Sequence, residues 1–303
     1  MKSICFLLLL TIFSLQLSGQ VRLPRLVSDG MVLQRDSKIN IWGWASVNEA
    51  ITVHFIDSTY TTVANSKGEW NISLHPLKAG GPFSMQIKAS NEIAINDILV
   101  GEVWVCSGQS QMDINMDRVS PLYQQEINSA ENPYIRNFVV PITYNFNEPQ
   151  TDIPSGRWEP VTQQNILQTS AIAYFFACEL YRKYKVPIGM IRASVGGSPI
   201  EAWISEKEIK QFATHYNEVL RLKSPAYTDS IQLSDKARVA DWYSRLSAKD
   251  EGYKVPGQSW YKTDVDVSNW EEIEIPGREQ DKALTSNGVF WFRKAPRTPT
   301  RSL

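Results

Sequence analysis

The chain has 303 residues, of which 43% are hydrophobic, so it can bury a sizeable core and, by length alone, form roughly two domains. Its formal net charge is −1, with 31 Lys and Arg against 32 Asp and Glu. That balance excludes the electrostatic footprint of a nucleic-acid-binding protein, or of one drawn to an anionic membrane.

Residues 1–20 read as an export signal. Lys2 supplies the positive start, Ile4 to Leu17 an apolar run with few polar interruptions, and Ser18-Gly19 the small residues of a cleavage site. The run is short for a membrane span and no other segment approaches one. The expected mature protein is soluble, free of the membrane after cleavage, and secreted or periplasmic. Cys5 stands too early to be the lipidated cysteine of a lipoprotein signal. Cleavage leaves Cys106 and Cys178, which sit in apolar surroundings and read as buried thiols; no Cys-x-x-Cys is present.

Residues 21–98 read as an all-β accessory domain. Ile39 to Trp44, Ile51 to Phe55, Trp70 to Leu74 and Phe83 to Ile87 alternate apolar and polar residues. Asn65-Ser66-Lys67-Gly68 and Lys78-Ala79-Gly80-Gly81-Pro82 supply turns between them, and several short strands at this spacing predict a small β-sandwich. The chain has ten Trp, residues that serve sugar-binding surfaces but that core packing also explains.

From residue 99 to about residue 224 strands alternate with helices, which predicts an α/β unit with a parallel sheet. Val103 to Cys106 is a short apolar run suited to a strand buried on both faces. A helix is predicted over Ser120 to Ala130, a strand over Tyr134 to Val140, a helix over Ser170 to Tyr184 and a strand over Ile188 to Ser194. Ile209 to Leu220 reads as an amphipathic helix. Beyond Ser224, Asp235 to Lys249 reads as a polar helix or linker. Ser259 to Tyr261, Asp266 to Trp270, Ile273 to Gly277 and Gly288 to Lys294 read as β segments.

Gly101-Glu102-Val103-Trp104-Val105-Cys106-Ser107-Gly108-Gln109-Ser110-Gln111-Met112 organises the rest. A strand, a glycine-relaxed turn and a serine at the mouth of a helix place the Ser110 hydroxyl at the sheet's carboxyl edge, where backbone N–H groups can meet a developing oxyanion. Two readings fit these residues: a serine nucleophile, or an ordinary strand-to-helix turn with Ser110 as N-cap. Met112 stands where a Gly-x-Ser-x-Gly elbow needs its second glycine, which weighs against a lipase or peptidase of that type. Gly196-Gly197 closes the Ile188–Ser194 strand. It is either a plain turn or a loop whose backbone can approach a carbonyl oxygen.

The Ser110 block resembles the first block of the SGNH/GDSL hydrolases and, more narrowly, that of the sialate O-acetylesterase family of carbohydrate esterases. Asp29 to Arg35, Tyr174 to Ala177 and Val186 to Gly189, running into Gly196-Gly197-Ser198-Pro199-Ile200-Glu201-Ala202-Trp203, agree with that family in its order. The resemblance implies an α/β, SGNH-hydrolase-like parallel sheet with helices, preceded by the β-sandwich of residues 21–98. It also implies that residues 225–303 are a linker and an incomplete β insertion of galactose-binding-like, jelly-roll type. Ser110 would be the nucleophile and the Gly197 amide an oxyanion donor beside Ser110's own, with Gly196, Gln109 and Gln111 in support. Gln109 and Asp113 look like orienting groups.

Two features depart from the family. Gln111 stands where the family usually has Asn. The family's general base, a His in an Asp-x-x-His block, has no counterpart, because His54, His75 and His215 all lack Asp three residues before them. A Gln-Gly-Glu block that completes the oxyanion hole is absent too. His215, on a predicted amphipathic helix, reads as a surface or satisfied histidine and is the first alternative for the base. The chain therefore reads as C-terminally truncated, the nucleophile half of an active site, nearly inactive alone and incompletely folded beyond about Ser224.

The expected activity is hydrolysis of carbohydrate O-acetyl esters, with 9-O-acetyl sialic acids as the first substrate class and no cofactor or metal. The alternatives are an acetyl esterase acting on plant polysaccharide such as xylan, and a non-catalytic carbohydrate-binding remnant.

Overall fold

The computed structural model describes residues 20–254, 259–273 and 289–294. The expected signal segment up to Gly19 lies outside the described residues, as do positions 274–277 and 288 of the expected β segments. The chain divides into two compact units, one ending at Tyr216 and one starting at Asn217.

In the first unit, alternation of apolar and polar side chains produces seven strands before the first helix. They are β1 (Val32–Gln34), β2 (Ile39–Trp44), β3 (Ala50–Phe55), β4 (Ser58–Val63), β5 (Glu69–Leu74), β6 (Gly80–Lys88) and β7 (Glu92–Gly108). After β7 come α1 (Ser110–Asp113), α2 (Met116–Val119), α3 (Gln124–Asn128), β8 (Glu131–Val139), β9 (Trp158–Thr162), α4 (Ala171–Tyr184) and β10 (Ile188–Ser194). Two short helices follow, α5 (Glu206–Ile209) and α6 (Ala213–Leu222). The predicted helix over Ser120 to Ala130 is a 3-10 turn at Ser120–Leu122 followed by α3. Ser170 caps α4, accepting a hydrogen bond from the Ala173 N–H.

The parallel sheet expected from the sequence is a mixed one. An eight-stranded sheet runs β4-β3-β6-β7-β10-β8-β9, with β1 also paired to β7. Pairing is antiparallel through β4, β3, β6 and the first half of β7, parallel through β7, β10 and β8, and antiparallel again at β9. A separate ribbon pairs β2 with β5 antiparallel. Their inward side chains share one cluster with the antiparallel strands: Ile41, Ile51, Val53, Met85 and Ile87 are fully buried. Each such side chain contributes about 1.5–3 kcal/mol by leaving water. A second cluster lies between α4 and the parallel strands, around Met190, Ile188, Ala177 and Met116.

β7 is one continuous strand of 17 residues. Its first part pairs with β6, and its last part, from Glu102 to Gly108, pairs with β10. Gly101 sits where the partner changes. A Cβ there would come within 1.9 Å of the Pro187 carbonyl oxygen, so only glycine lets the chain entering β10 come this close. The Glu102 N–H donates to that same carbonyl at 2.8 Å.

Val103 to Cys106 is not buried on both faces. Cys106 is buried against α4, but Trp104 is 42% exposed and Val105 67% exposed. Trp104 meets only the rim of α4, edge-on to Phe176 with ring centroids 5.1 Å apart. Val105 projects, by the alternation of the strand, to the face opposite Cys106.

The second unit contains α7 (Pro225–Lys249), which buries no side chain, and α8 (Glu251–Lys254). The segments 259–273 and 289–294 form turns and irregular backbone rather than the expected β strands. Their aromatics pack on one another instead. Trp260 meets Trp270 and Trp291 edge-on, and the Trp291 Nε1–H donates to Asp250 Oδ1 at 2.9 Å. No described helix is long and apolar enough to cross a membrane.

Gly101→Ala is expected to lower unfolding stability by about 1–3 kcal/mol or more, because the new methyl meets backbone rather than a side chain that can turn away. Chemical denaturation with a fluorescence readout measures it, and an unchanged midpoint would contradict the close approach of β7 to Pro187.

Candidate active site

Parallel pairing brings the two ends of the site together. In the β7–β10 ladder Ser194 stands opposite Gly108, so both strands finish at the same level of the sheet. The Val195 N–H extends the ladder by one bond, donating to the Gly108 carbonyl at 3.0 Å. The chain then turns at Gly108, with φ +138°, into α1, and at Gly197, with φ +77°, into a 3-10 turn at Ile200–Trp203. Both angles lie in the left-handed region that favours glycine.

Ser110 opens α1 and is exposed. The Gly197 N–H donates to its Oγ at 3.3 Å. These two predicted residues, 87 positions apart in sequence, are thus in direct contact. The Ser110 N–H donates to Gln109 Oε1 at 2.7 Å, so Gln109 occupies the serine's own amide. α1 is a single turn, shorter than the helix the motif suggested. Gln111 is exposed and takes no part in the hydrogen bonds between Ser110 and the glycine loop.

Asp113 fixes the loop. Its Oδ1 accepts from the Ser194 hydroxyl at 2.9 Å, and its Oδ2 accepts from the Gly196 N–H at 3.2 Å. A Cβ on Gly196 would come 3.1 Å from that carboxylate oxygen and 4.0 Å from Ser110 Oγ, a tight fit against Asp113. The Arg192 guanidinium lies 3.8 Å from Asp113 Oδ1 and donates to Asn115 Oδ1 at 2.7 Å. Ser198 and Trp203 close the far side, with the Trp203 Nε1–H donating to Ser198 Oγ at 2.9 Å and Ser198 Oγ donating to the Val195 carbonyl at 2.7 Å. Arg192 and Ser194 carry structural roles at the site that the motif reading passed over. The signal for Arg192 was present: a cation inside the otherwise apolar strand Ile188-Gly189-Met190-Ile191 needs a carboxylate or amide partner nearby.

The three histidines are engaged elsewhere. His54 Nδ1 lies 2.9 Å from Thr59 Oγ1, the His75 ring tilts against Tyr60, and His215 Nε2 lies 3.8 Å from Glu201 Oε1. Glu201 belongs to the turn that follows the glycine loop, so His215 has a carboxylate partner close in sequence to Gly197. Cys106 and Cys178 are both free thiols, and burial pushes each of them up from the ordinary thiol range. A buried thiol held protonated is a poor nucleophile, which leaves the exposed Ser110 hydroxyl as the group presented to solvent. Among the described residues no cluster of three or more His, Cys, Asp and Glu is placed to hold a metal ion.

No family model matches the chain. Over 207 residues, 62% of its length, it is 30% identical to the sialate O-acetylesterases of Homo sapiens and Pongo abelii, covering 40% of each. The same segment is 30% identical to the sialate O-acetylesterase of Rattus norvegicus, covering 38% of it. The chain therefore spans about two fifths of the length of the curated relatives it matches. Among solved structures, a carbohydrate acetylesterase from Xanthomonas citri superposes with a TM-score of 0.61 at 36% identity, over 65% of this chain and 45% of that one.

Replacing Asp113 tests its hold on the loop. In Asp113→Ala the Gly196 amide is expected to exchange with solvent at least roughly tenfold faster, since its only carboxylate acceptor is gone. Amide hydrogen exchange read by mass spectrometry gives the rate, and unchanged protection would show that the loop is held by other contacts.

Proposed function

We propose that this chain, 30% identical to sialate O-acetylesterases over 62% of its length, is a member of that family and a serine esterase portion acting on O-acetylated carbohydrate, with Ser110 as its nucleophile. The observation that carries the reading is the Gly197 N–H on Ser110 Oγ. It sets a backbone donor against the nucleophile itself, beside where an acetyl carbonyl oxygen would arrive.

The steps follow from those atoms. Ser110 Oγ loses its proton to a base and forms a bond to the acetyl carbon, whose carbonyl oxygen becomes an oxyanion. The Gly197 N–H turns from Oγ to that oxygen. The Ser110 N–H joins it once Gln109 Oε1 swings aside, giving the second donor of the hole. Collapse of the intermediate breaks the ester bond, and the sugar hydroxyl leaves with the proton. Water then attacks the acetyl–Ser110 ester by the same route and releases acetate. Removing one such donor from an enzyme of this kind costs about a hundredfold to a thousandfold in rate. Asp113 keeps Ser194 and Gly196 in register through its two carboxylate oxygens.

The base is the open element of this arrangement. None of the three histidines is hydrogen-bonded to Ser110 among the described residues. His215, beside Glu201, is the first alternative within the chain, since a carboxylate partner is what a catalytic imidazole needs. Export to the periplasm or the medium and a 9-O-acetyl sialic acid substrate belong to the same proposal. A carbohydrate ester other than a sialic acid, acetylated plant polysaccharide among the alternatives, stays within the proposal because the Xanthomonas citri relative, at 36% identity, is described only as a carbohydrate acetylesterase.

Turnover of 4-nitrophenyl acetate, corrected for the protein-free blank, tests the reading. The chain is expected to hydrolyse the ester slowly and to accelerate with added imidazole, which supplies a base to an otherwise prepared nucleophile. Ser110→Ala is expected to abolish both the rate and its imidazole dependence while shifting stability by no more than about 0.5 kcal/mol, because the side chain is exposed. Equal corrected rates for the two proteins at every imidazole concentration would favour the non-catalytic carbohydrate-binding alternative.

A further inference from the structure

The outer face of the β2–β5 ribbon forms an open groove of about 720 Å³, far from any role yet assigned. Its composition is unusual for a surface. Trp42 and Trp44 come from alternate positions of β2 and so stand on one face, their backbones roughly 6.5–7 Å apart. Directly across the ribbon, Asn71 pairs with Trp42 and Glu69 with Trp44. Each ring thus has a polar hydrogen-bonding group beside it. Trp42 is 37% exposed, a large apolar surface left facing water.

The surrounding side chains are fixed rather than loose. The Asn65 Nδ2–H donates to Glu69 Oε2 at 3.2 Å, and the Ser73 hydroxyl donates to Asn40 Oδ1 at 2.7 Å. The Arg22 guanidinium lies 4.0 Å over the Trp44 ring and covers one of its faces, leaving Trp42 as the more open platform. The long irregular stretch after β8 supplies a wall: Thr151 lines the groove, and the neighbouring Asp152 accepts from the Arg25 N–H at 3.0 Å. Trp70, on the opposite side of β5 from Glu69 and Asn71, is buried in the core beneath the groove.

We infer that this groove binds a neutral glycan chain. A pyranose ring presents an apolar C–H face and a rim of hydroxyls. The indole of Trp42 fits the first, and Asn71, Glu69, Asn40 and Thr151 fit the second. Charge selects among sugars. Glu69 is the one charged residue lining the groove, and the nearby Arg22 is paired with Asp152 at 3.6 Å. An acidic sugar would meet the Glu69 carboxylate, while the Arg22 cation is held between the Trp44 ring and Asp152. The groove is open along its length, as a polymer requires, rather than closed around a single ring. Its role is to hold a glycan on the protein, and it does not depend on the Ser110 chemistry.

Isothermal titration with four neutral oligosaccharides, cellohexaose, xylohexaose, mannohexaose and lacto-N-tetraose, and with the acidic 3′-sialyllactose, tests the inference. At least one neutral oligosaccharide is expected to bind. Trp42→Ala is expected to weaken that binding roughly tenfold or more, equivalent to about 1.4 kcal/mol. Asn71→Ala, exposed and unable to disturb the core, is expected to weaken it in the same direction, which guards against a Trp42→Ala variant that fails to fold. Ser110→Ala is expected to bind as the unmodified chain does, so a failure of the esterase reading leaves this result standing. The inference is overturned if no neutral oligosaccharide binds at millimolar concentration, if both groove variants bind unchanged, or if only sialyllactose binds.

Discussion

The site rests on one register. Because β7 and β10 run parallel with Gly108 opposite Ser194, the residues that follow the two strands emerge side by side. Ser110 and Gly197 then meet through two glycines at left-handed angles, with Asp113 holding the loop between them. A slip of one residue would separate them and turn every side chain of β10 to the wrong face, moving Met190 and Ile188 out of the core against α4. The hydrophobic cost of that slip is what protects the geometry. Gly101 protects it a second time, because the backbone at Pro187 packs where a side chain at that position of β7 would stand.

The polar groups around the site are arranged to hold the backbone rather than to transfer protons. Asp113 joins α1 to the end of β10, satisfying Ser194 and Gly196 at once. Arg192 balances the carboxylate and ties α2's cap residue Asn115 to the same strand. A half-buried carboxylate with two donors and a cation is well satisfied, and hydrogen bonds to charged groups of this kind are worth about 1.5–3 kcal/mol each. The glycine loop is therefore pre-organised before any substrate arrives, which is where an oxyanion donor gains its advantage.

Much of this was legible in the residues. Ile188 to Ser194 is a strand with the predicted limits, since an apolar run between Pro187 and Val195-Gly196-Gly197 has few other options. α4 fills the predicted Ser170 to Tyr184 helix, with Ser170 itself as the cap. The nearness of Gly197 to Ser110 was what the family resemblance implied, since the residues around Gly197 alone also fit a plain turn. What the sequence could not display was pairing over distance. Residue 98, the expected end of the β region, falls inside β7, whose two halves answer to different partners and so to different patterns. The exposure of Trp104 likewise depends on how far α4 reaches, and that of Val105 on what covers the opposite face, not on the local run. Beyond residue 258 the Trp and Asn spacing imitated strands, whereas those rings pack on one another among turns. The engagement of Ser110's own amide by Gln109 was equally hidden, because a side chain folding back one residue leaves no mark in a motif.

The most direct test of the account is a crystal structure of the chain after reaction with an alkyl fluorophosphonate, whose tetrahedral phosphorus mimics the intermediate of ester hydrolysis. The account predicts phosphorus bonded to Ser110 Oγ and a phosphoryl oxygen about 3 Å from the Gly197 nitrogen, within hydrogen-bonding distance. An adduct on another residue, or one on Ser110 with its phosphoryl oxygen turned away from the Gly196–Gly197 loop, would contradict it.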